Sequence, residues 1–335
     1  MTRALGSRPR SERQFDVTLA GDTALDLLMY GLPDDLPPER ELLADAIAIR
    51  VGGSAAITAH NLAALGNRVG FITAVSEDDL GRFCLSELRE AGVDLSRCVP
   101  AHGVPAAVTV HLQHKKLRHM FTYAGPTCEL TFDGLDVGYL AQSQHFHMSS
   151  YYLQRALTPR IPELFAELKK AGVTLSLDPN DDPSQKWDRG ILEAIRQVDI
   201  LMPNEREACL LAGEPDLDRA IAHLRDWVPL LVVKLGSDGA TAFSGQQCWH
   251  VPADRAQVVD AIGAGDSFNT GFLHAWIRGY PIDKALTLGS KIASLSVTDS
   301  GGTSAFRKKS TWLAQLAKGG NYQDVSMQAG DPQDW

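Results

Sequence analysis

The chain has 335 residues, 44% of them apolar, and its 41 acidic against 32 basic side chains leave a formal net charge of −9. That balance excludes a general binder of nucleic acid or of anionic membranes, both of which need clustered Lys and Arg; the basic runs HKKLRH (114–119) and RKK (307–309) are short enough to be solvated faces. The length accommodates two domains or one large α/β domain, with ample core in either case.

Taken in chain order, FDVTLAG (15–21) reads as a first buried strand, and GDTALD behind it puts Asp22 and Asp26 in the loop that leaves the strand. ELLADAIAIRVGG (41–53) reads as extended chain, and Gly52-Gly53 opens a helix over 54–66 whose close-packed face is Ala56, Ala59, Ala63 and Gly66. The two glycines either let backbone approach a ligand or make a tight helix entry with no ligand. A strand over 69–75 and a helix over 79–92 follow. VPAAVTVHLQHKKLRHMFTYAG (104–125) reads as a hairpin turning at the Lys-Lys pair. Strands over 143–150, 173–179, 198–204 and 230–236 then alternate with helical patterns over 158–171, 188–197 and 205–225, and two helices over 264–278 and 282–298 close the order. This alternation predicts a mostly parallel sheet with helices on both faces and a ligand beyond the C-terminal strand ends. The extended pieces, about 33–51 and 104–125, predict a small antiparallel lid that could exclude water, and its exposed edge predicts a homodimer.

Cys84, Cys98, Cys128, Cys209 and Cys248 are odd in number and form no C-x-x-C pair, which fits free thiols in a reducing compartment. The first residues are basic but lack an apolar core, and no later run approaches a membrane span. A cytoplasmic, soluble protein is expected, with residues 1–14 and 321–335 loose.

The chemistry gathers at VVDAIGAGDSFNTGFLHAWIRG (258–279). Phe268, Gly271, Phe272, Ala275 and Trp276 form one helical stripe, so the helix begins near Ala264 and Asp266 lies in its first turn. A carboxylate there could simply complement the helix dipole. Gly263-Ala264-Gly265, stripped of side chains, asks for more: several backbone N–H groups can converge there on an anion. A carboxylate beside such a cradle repels the anion it would help to bind, unless it acts as a base on a hydroxyl attacking a phosphoryl group. No G-x-x-x-x-G-K-[ST] run occurs, and Phe268 stands where a dinucleotide fingerprint needs its third glycine.

With GDTALD, GGSAAITAHNLAALG (52–66) and DAIGAGDSF in view, the chain resembles the ribokinase, or PfkB, family of carbohydrate kinases. SEDDLG (76–81), LDPN (177–180), PNERE (203–207) and KLGSDGA (234–240) continue that resemblance in the family's order over about residues 15–318. The resemblance implies a single three-layer α/β kinase domain, with a mostly parallel central sheet flanked by helices and a small β-strand lid. It implies Asp266 as catalytic base and Gly263, Ala264 and Gly265 as the anion hole. It implies Asp26 and Gly53 on the sugar, with Gly52 beside them at the helix start, and Asn204, Lys234, Gly236, Ser237 and Gly239 on the nucleotide. Glu207 would organise magnesium through water, and a monovalent cation would lie near Asp260. ATP and Mg2+ are the implied cofactors. The substrate would be a small sugar or sugar acid; a nucleoside kinase of the same fold and a non-catalytic sugar-binding regulator are the rivals.

Three residues depart from the family pattern. Ile57 stands where relatives usually carry an Asn that helps hold the sugar; Asn61, one helical turn later, is expected to replace it in part. Ala261 and Ile262 stand where Thr is favoured, which spares the anion hole and weakens the expectation of a cation at Asp260. His145 and His147, two apart on a strand, lack an evident third ligand and read as core or pocket histidines. Arg118 could meet a carboxylate or phosphate, or serve as a solvated lid charge.

Overall fold

A computed structural model of the chain describes residues 13–313 apart from 115, 116, 188, 189, 308 and 311. In chain order the first elements are β1 (Phe15–Ala20), β2 (Ala24–Tyr30), β3 (Ala46–Gly52), α1 (Ser54–Ala64), β4 (Val69–Ile72), β5 (Ala74–Ser76), α2 (Asp79–Glu90), β6 (Val93–Asp94) and β7 (Val99–Ala101). Next come β8 (Val108–His114), β9 (Leu117–Tyr123), α3 (Val137–Leu140), β10 (Ser143–Ser149), α4 (Ile161–Lys170), β11 (Thr174–Asp178), α5 (Ile191–Ile195) and β12 (Ile200–Leu201). The chain continues through α6 (Glu205–Ala212), α7 (Leu217–Arg225), β13 (Leu230–Lys234), β14 (Ala240–Ser244), β15 (Gln247–Val251), α8 (Ala264–Trp276) and α9 (Ile282–Ser296).

Nine strands form the central sheet in the order β15-β14-β13-β12-β11-β10-β1-β4-β6. All neighbours run parallel except β13–β14 and β14–β15, which are antiparallel. The winding reverses between β1 and β10: β1 leads outward to β4 and β6, while β10 leads the other way to β13. A crevice opens beyond the C-terminal ends of strands at such a reversal. Strand alternation sends Val17, Leu19, Leu230 and Val232 into one core cluster with Phe272 and Ile292, and Leu175, Leu177, Leu231 and Val233 into a second with Phe146 and Phe165. These are the two cores of a three-layer α/β molecule.

The lid is a separate four-stranded sheet, β3-β2-β8-β9, in which β2 pairs antiparallel with β3 and parallel with β8, and β8 pairs antiparallel with β9. Of the expected lid segments, residues 46–51, 108–114 and 117–123 are strand while 33–45 are not; the sheet also recruits β2, and its β2–β8 pairing is parallel where an antiparallel lid was expected. Asp26, expected in a loop, is in the middle of that strand. The hairpin turn expected at residues 115–116 and the loose termini expected over 1–14 and 321–335 fall on or extend into residues outside those described. The single helix expected over 205–225 is two: Gly213, at φ 70, ends α6, and Asp216 caps α7 by accepting from Arg219 N–H at 3.0 Å. No helix among the described residues is long and apolar enough to cross a membrane.

Candidate active site

The entrance to α1 is built around two carboxylates. Asp22, just past the end of β1, accepts from Ser54 N–H at 2.9 Å and from Ala55 N–H at 3.1 Å, so it satisfies two of the free donors of that helix. Burial nevertheless pushes its carboxyl above the ordinary range, partly opposed by those hydrogen bonds. The paired glycines are required by the same carboxylates. A Cβ on Gly52 would fall 2.1 Å from Asp26 Oδ1, and Gly53, at φ 89, would meet the Asp22 carbonyl oxygen at 2.8 Å. Asp26 is buried, with His111 Nε2 of β8 at 3.2 Å from its Oδ1.

Gly263, at φ 70, precedes α8, and a Cβ there would collide with Gly302 Cα at 2.5 Å. The turn Gly263-Ala264-Gly265 thus carries no side chain larger than the Ala264 methyl, with Gly265 exposed and Asp266 buried beneath it. Asp266 sits well above the ordinary carboxylate range, first because it is buried and next because of the negative charge of Asp178; Lys234 and a hydrogen bond from Ser54 act against the shift. An unperturbed aspartate is a weak base, and burial makes this one a stronger base than an ordinary aspartate.

Lys234, the last residue of β13, donates from Nζ to Asp178 Oδ2, and Asn269 Nδ2 of α8 donates to the same oxygen at 2.6 Å. The ammonium lies 3.5 Å from where a Cβ of Gly265 would be, which sets a positive charge against the rim of the cradle. Burial alone would make Lys234 easier to deprotonate, but the charges of Asp178, Glu207 and Asp266 prevail and raise its pKa. Asn204 and Glu207 form a reciprocal cap on α6: Asn204 N–H donates to Glu207 Oε2 at 2.8 Å and Glu207 N–H to Asn204 Oδ1 at 2.9 Å. Glu207 is pushed up to about 7 by burial and by the Asp178 charge.

Lys234 ends β13, Asn204 and Glu207 follow β12, Gly53 meets Asp22 just past β1, and the cradle with Asp266 lies against Lys234, whereas Asp26 lies in the lid strand β2 with Gly52 packed on it. Gly236 and Ser237 lie exposed in the turn after β13; Gly239, at φ 96, is demanded by close approach to Val251, since a Cβ would fall 2.0 Å from its carbonyl oxygen. Arg118 is exposed on β9. Two expectations need correction. Asn61 is 0% exposed and its amide is used inside the protein: Nδ2 donates to Gly302 O at 2.9 Å and Ser267 Oγ at 3.2 Å, and Oδ1 meets His60 Nδ1 at 2.9 Å. It brackets α1, α8 and the Gly302 loop, with both amide hydrogens used inside the protein and no surface open to a sugar. Asp260, expected near a monovalent cation, has both oxygens engaged by Ile262 N–H, Tyr30 O–H and Gly301 N–H.

Sequence reasoning passed over Asp178, although LDPN contains it, and Asn269, which is helical and lies 91 residues further on. The two histidines are core residues: His145 Nε2 and His147 Nδ1 each meet Ser176 Oγ at 2.7 Å, and burial pushes His147 down to about 3. Among the described residues no three His, Cys, Asp or Glu side chains form a direct metal cage.

The sequence profile of the pfkB family carbohydrate kinases matches residues 14–309. The chain is 27% identical over 292 residues to an ATP-dependent 6-phosphofructokinase of Thermoanaerobacterium thermosaccharolyticum, covering 84% of this chain and 88% of that protein. It is 30% identical over 256 residues to an ATP-dependent ribose-1-phosphate kinase of Halopiger xanaduensis, covering 76% and 82%. Among solved structures, the adenosine kinase from Sinorhizobium meliloti superposes with a TM-score of 0.79 at 24% identity, over 91% of this chain and 99% of that one.

Proposed function

The chain belongs to the pfkB family of carbohydrate kinases, and from that premise we propose that it transfers the γ-phosphoryl group of ATP to a hydroxyl of a small sugar or sugar acid, with Asp266 as the base. The observation that carries the reading is the turn Gly263-Ala264-Gly265, whose one side chain is a methyl, above a buried Asp266 and beside the Lys234 ammonium at the C-terminal end of β13. A sugar hydroxyl lying between Asp266 and the cradle gives up its proton to the carboxylate as its oxygen attacks the γ-phosphorus, and the bond from that phosphorus to the β,γ-bridging oxygen breaks to release ADP. Charge developing on the transferring group meets the backbone N–H groups of the cradle and the positive end of α8. Lys234, held by Asp178, adds fixed charge that needs no reorganisation.

Asp26 and the backbone of Gly52 and Gly53 form the sugar side, and Arg118 on the lid offers a guanidinium fork to an acidic or phosphorylated tail. Gly236 and Ser237 lie on the nucleotide side. The donor set suits magnesium brought with ATP: Glu207, next to Asp178, would hold it through water beside Asn204, and oxygen ligands with retained water are this ion's habit. When bound, magnesium supplies neutralisation of phosphate charge.

An ADP-release screen with ATP and magnesium across ketoses, pentoses, sugar phosphates, sugar acids and nucleosides tests the proposal, with Asp266→Asn in parallel. The expected result is turnover on a sugar or sugar acid that falls by roughly 10²–10⁴ in the variant. Turnover on nucleosides alone moves the substrate to that class. Silence across the panel, with sugars still raising the melting temperature, makes the protein a sugar-binding regulator.

A further inference from the structure

Asp260 stands three residues before Gly263 and is 9% exposed. Its Oδ1 accepts from Ile262 N–H at 3.0 Å; its Oδ2 accepts from Tyr30 O–H at 2.9 Å and from Gly301 N–H at 3.1 Å. Every one of these neighbours presents a hydrogen to the carboxylate, whereas a monovalent cation needs converging oxygen lone pairs. Ala261 and Ile262 carry no hydroxyl that could add one. The residues present therefore do not fit the cation that the family resemblance implies.

Tyr30 is the last residue of β2, the strand that is central to the lid sheet. On the neighbouring strand, Arg50 Nε donates to Ser304 Oγ, and its side chain lies against Gly301. Both lid strands thus grip residues 300–304. Gly302 in that segment is the backbone against which Gly263 packs, and its carbonyl is held by Asn61. One continuous path runs from the lid through Tyr30, Asp260 and Gly301 to the turn that forms the anion cradle.

We infer that the Tyr30 hydroxyl takes the place of the monovalent cation, and that Tyr30 is a positioning residue that latches the lid to the cradle loop. The shape of the cradle then depends on lid contact and not on the salt present. This rests on the kinase reading for its catalytic consequence, but its structural content is tested without turnover.

The experiment uses the full chain as wild type, Tyr30→Phe and Asp260→Asn. Melting temperatures are compared in potassium chloride and tetramethylammonium chloride at equal ionic strength, and amide hydrogen exchange is followed in the peptide that spans 258–268. The expected wild type melts alike in the two salts. Tyr30→Phe is expected to speed exchange at the cradle amides by about tenfold while the β13 peptide stays unchanged, a split that a general loss of stability would not produce. Potassium-specific stabilisation that saturates and disappears in Asp260→Asn would overturn the inference, because the cation would then occupy the carboxylate. Unchanged cradle exchange in Tyr30→Phe would overturn the latch. If the acceptor screen is silent the kinase reading fails, while both of these readouts still report on Tyr30.

Discussion

Ile57 closes the space behind the anion cradle. Its Cδ1 lies 3.4 Å from where a Cβ of Gly263 would be, and three of its carbons would press on a Cβ of Gly302 at 2.8–3.1 Å. The side chain is therefore a wedge between α1 and the two glycine-bearing loops, a packing role in place of the sugar contact that the family resemblance leads one to expect from an Asn there. Ile57→Asn, a reversion to that pattern, would leave an amide buried among apolar atoms and lose packing at once. The expected outcome is a fall in stability of about 2–4 kcal/mol with no gain in sugar affinity. Thermal melts and a substrate titration check this; unchanged melting with tighter substrate binding would show that residue 57 faces the sugar. Asn61 teaches the same lesson from the other side. One turn along the helix placed it on the right face, but nothing local could reveal that Gly302, 241 residues away, takes its amide.

The capped helix α6 shows how one element serves stability and the site together. Glu207 both closes the cap on Asn204 and stands close enough to Asp178 for its proton to be held up to about 7, against an ordinary 4.5. Between those two values the unfolded chain has released this proton and the folded chain retains it, so Glu207 lowers stability progressively as pH rises through that window, then no further. Glu207→Gln keeps an oxygen to accept from Asn204 N–H and removes the charge; its amide NH2 would face Asn204 Nδ2, which donates to Glu207 Oε1 at 2.7 Å, a loss that is the same at every pH. Its melting temperature relative to wild type is expected to climb from pH 4.5 to about 7 and level off, the total worth at most about 3 kcal/mol. Melting curves that stay parallel across that range would contradict it. At this scale much was legible: the strands β1, β4, β10, β11 and β13 and the helices α1, α2, α4, α8 and α9 are long or strongly apolar in pattern, and the cradle with Asp266 was marked by its glycines. What escaped depended on distant partners. GDTALD reads as a turn because of its two aspartates, yet Asp26 is held extended by pairing with Arg50 on one side and Thr109 on the other. The β14–β15 hairpin hides behind a two-residue loop in which Gly245 adopts φ 53.

At the scale of the whole molecule the lid has two unlike faces. Register puts Asp26, Leu28 and Tyr30 on the face turned toward Asp260 and Gly301, with Thr109 and His111 beside them. The opposite face carries Leu27, Met29, Ile47, Ile49, Val110, Leu112, Phe121 and Tyr123 across all four strands. The helix α2 covers only its base, near β2 and β3; toward the open end Ile47 is 61%, Phe121 62% and Tyr123 53% exposed. A contiguous apolar face of this kind, bounded by the unpaired edges of β3 and β9, is costly in water and invites association. A second copy of the same face would cover it through a two-fold contact, in which the same surface serves both partners. Light scattering on the full chain is therefore expected to give twice the chain's mass. The double substitution Ile47→Lys with Phe121→Lys, confined to exposed positions, is expected to convert it to the monomer while leaving the melting of the main domain within a few degrees. A wild-type protein already monomeric at high concentration would show that this face is tolerated bare. A dimer that survives both lysines would place the contact elsewhere on the molecule.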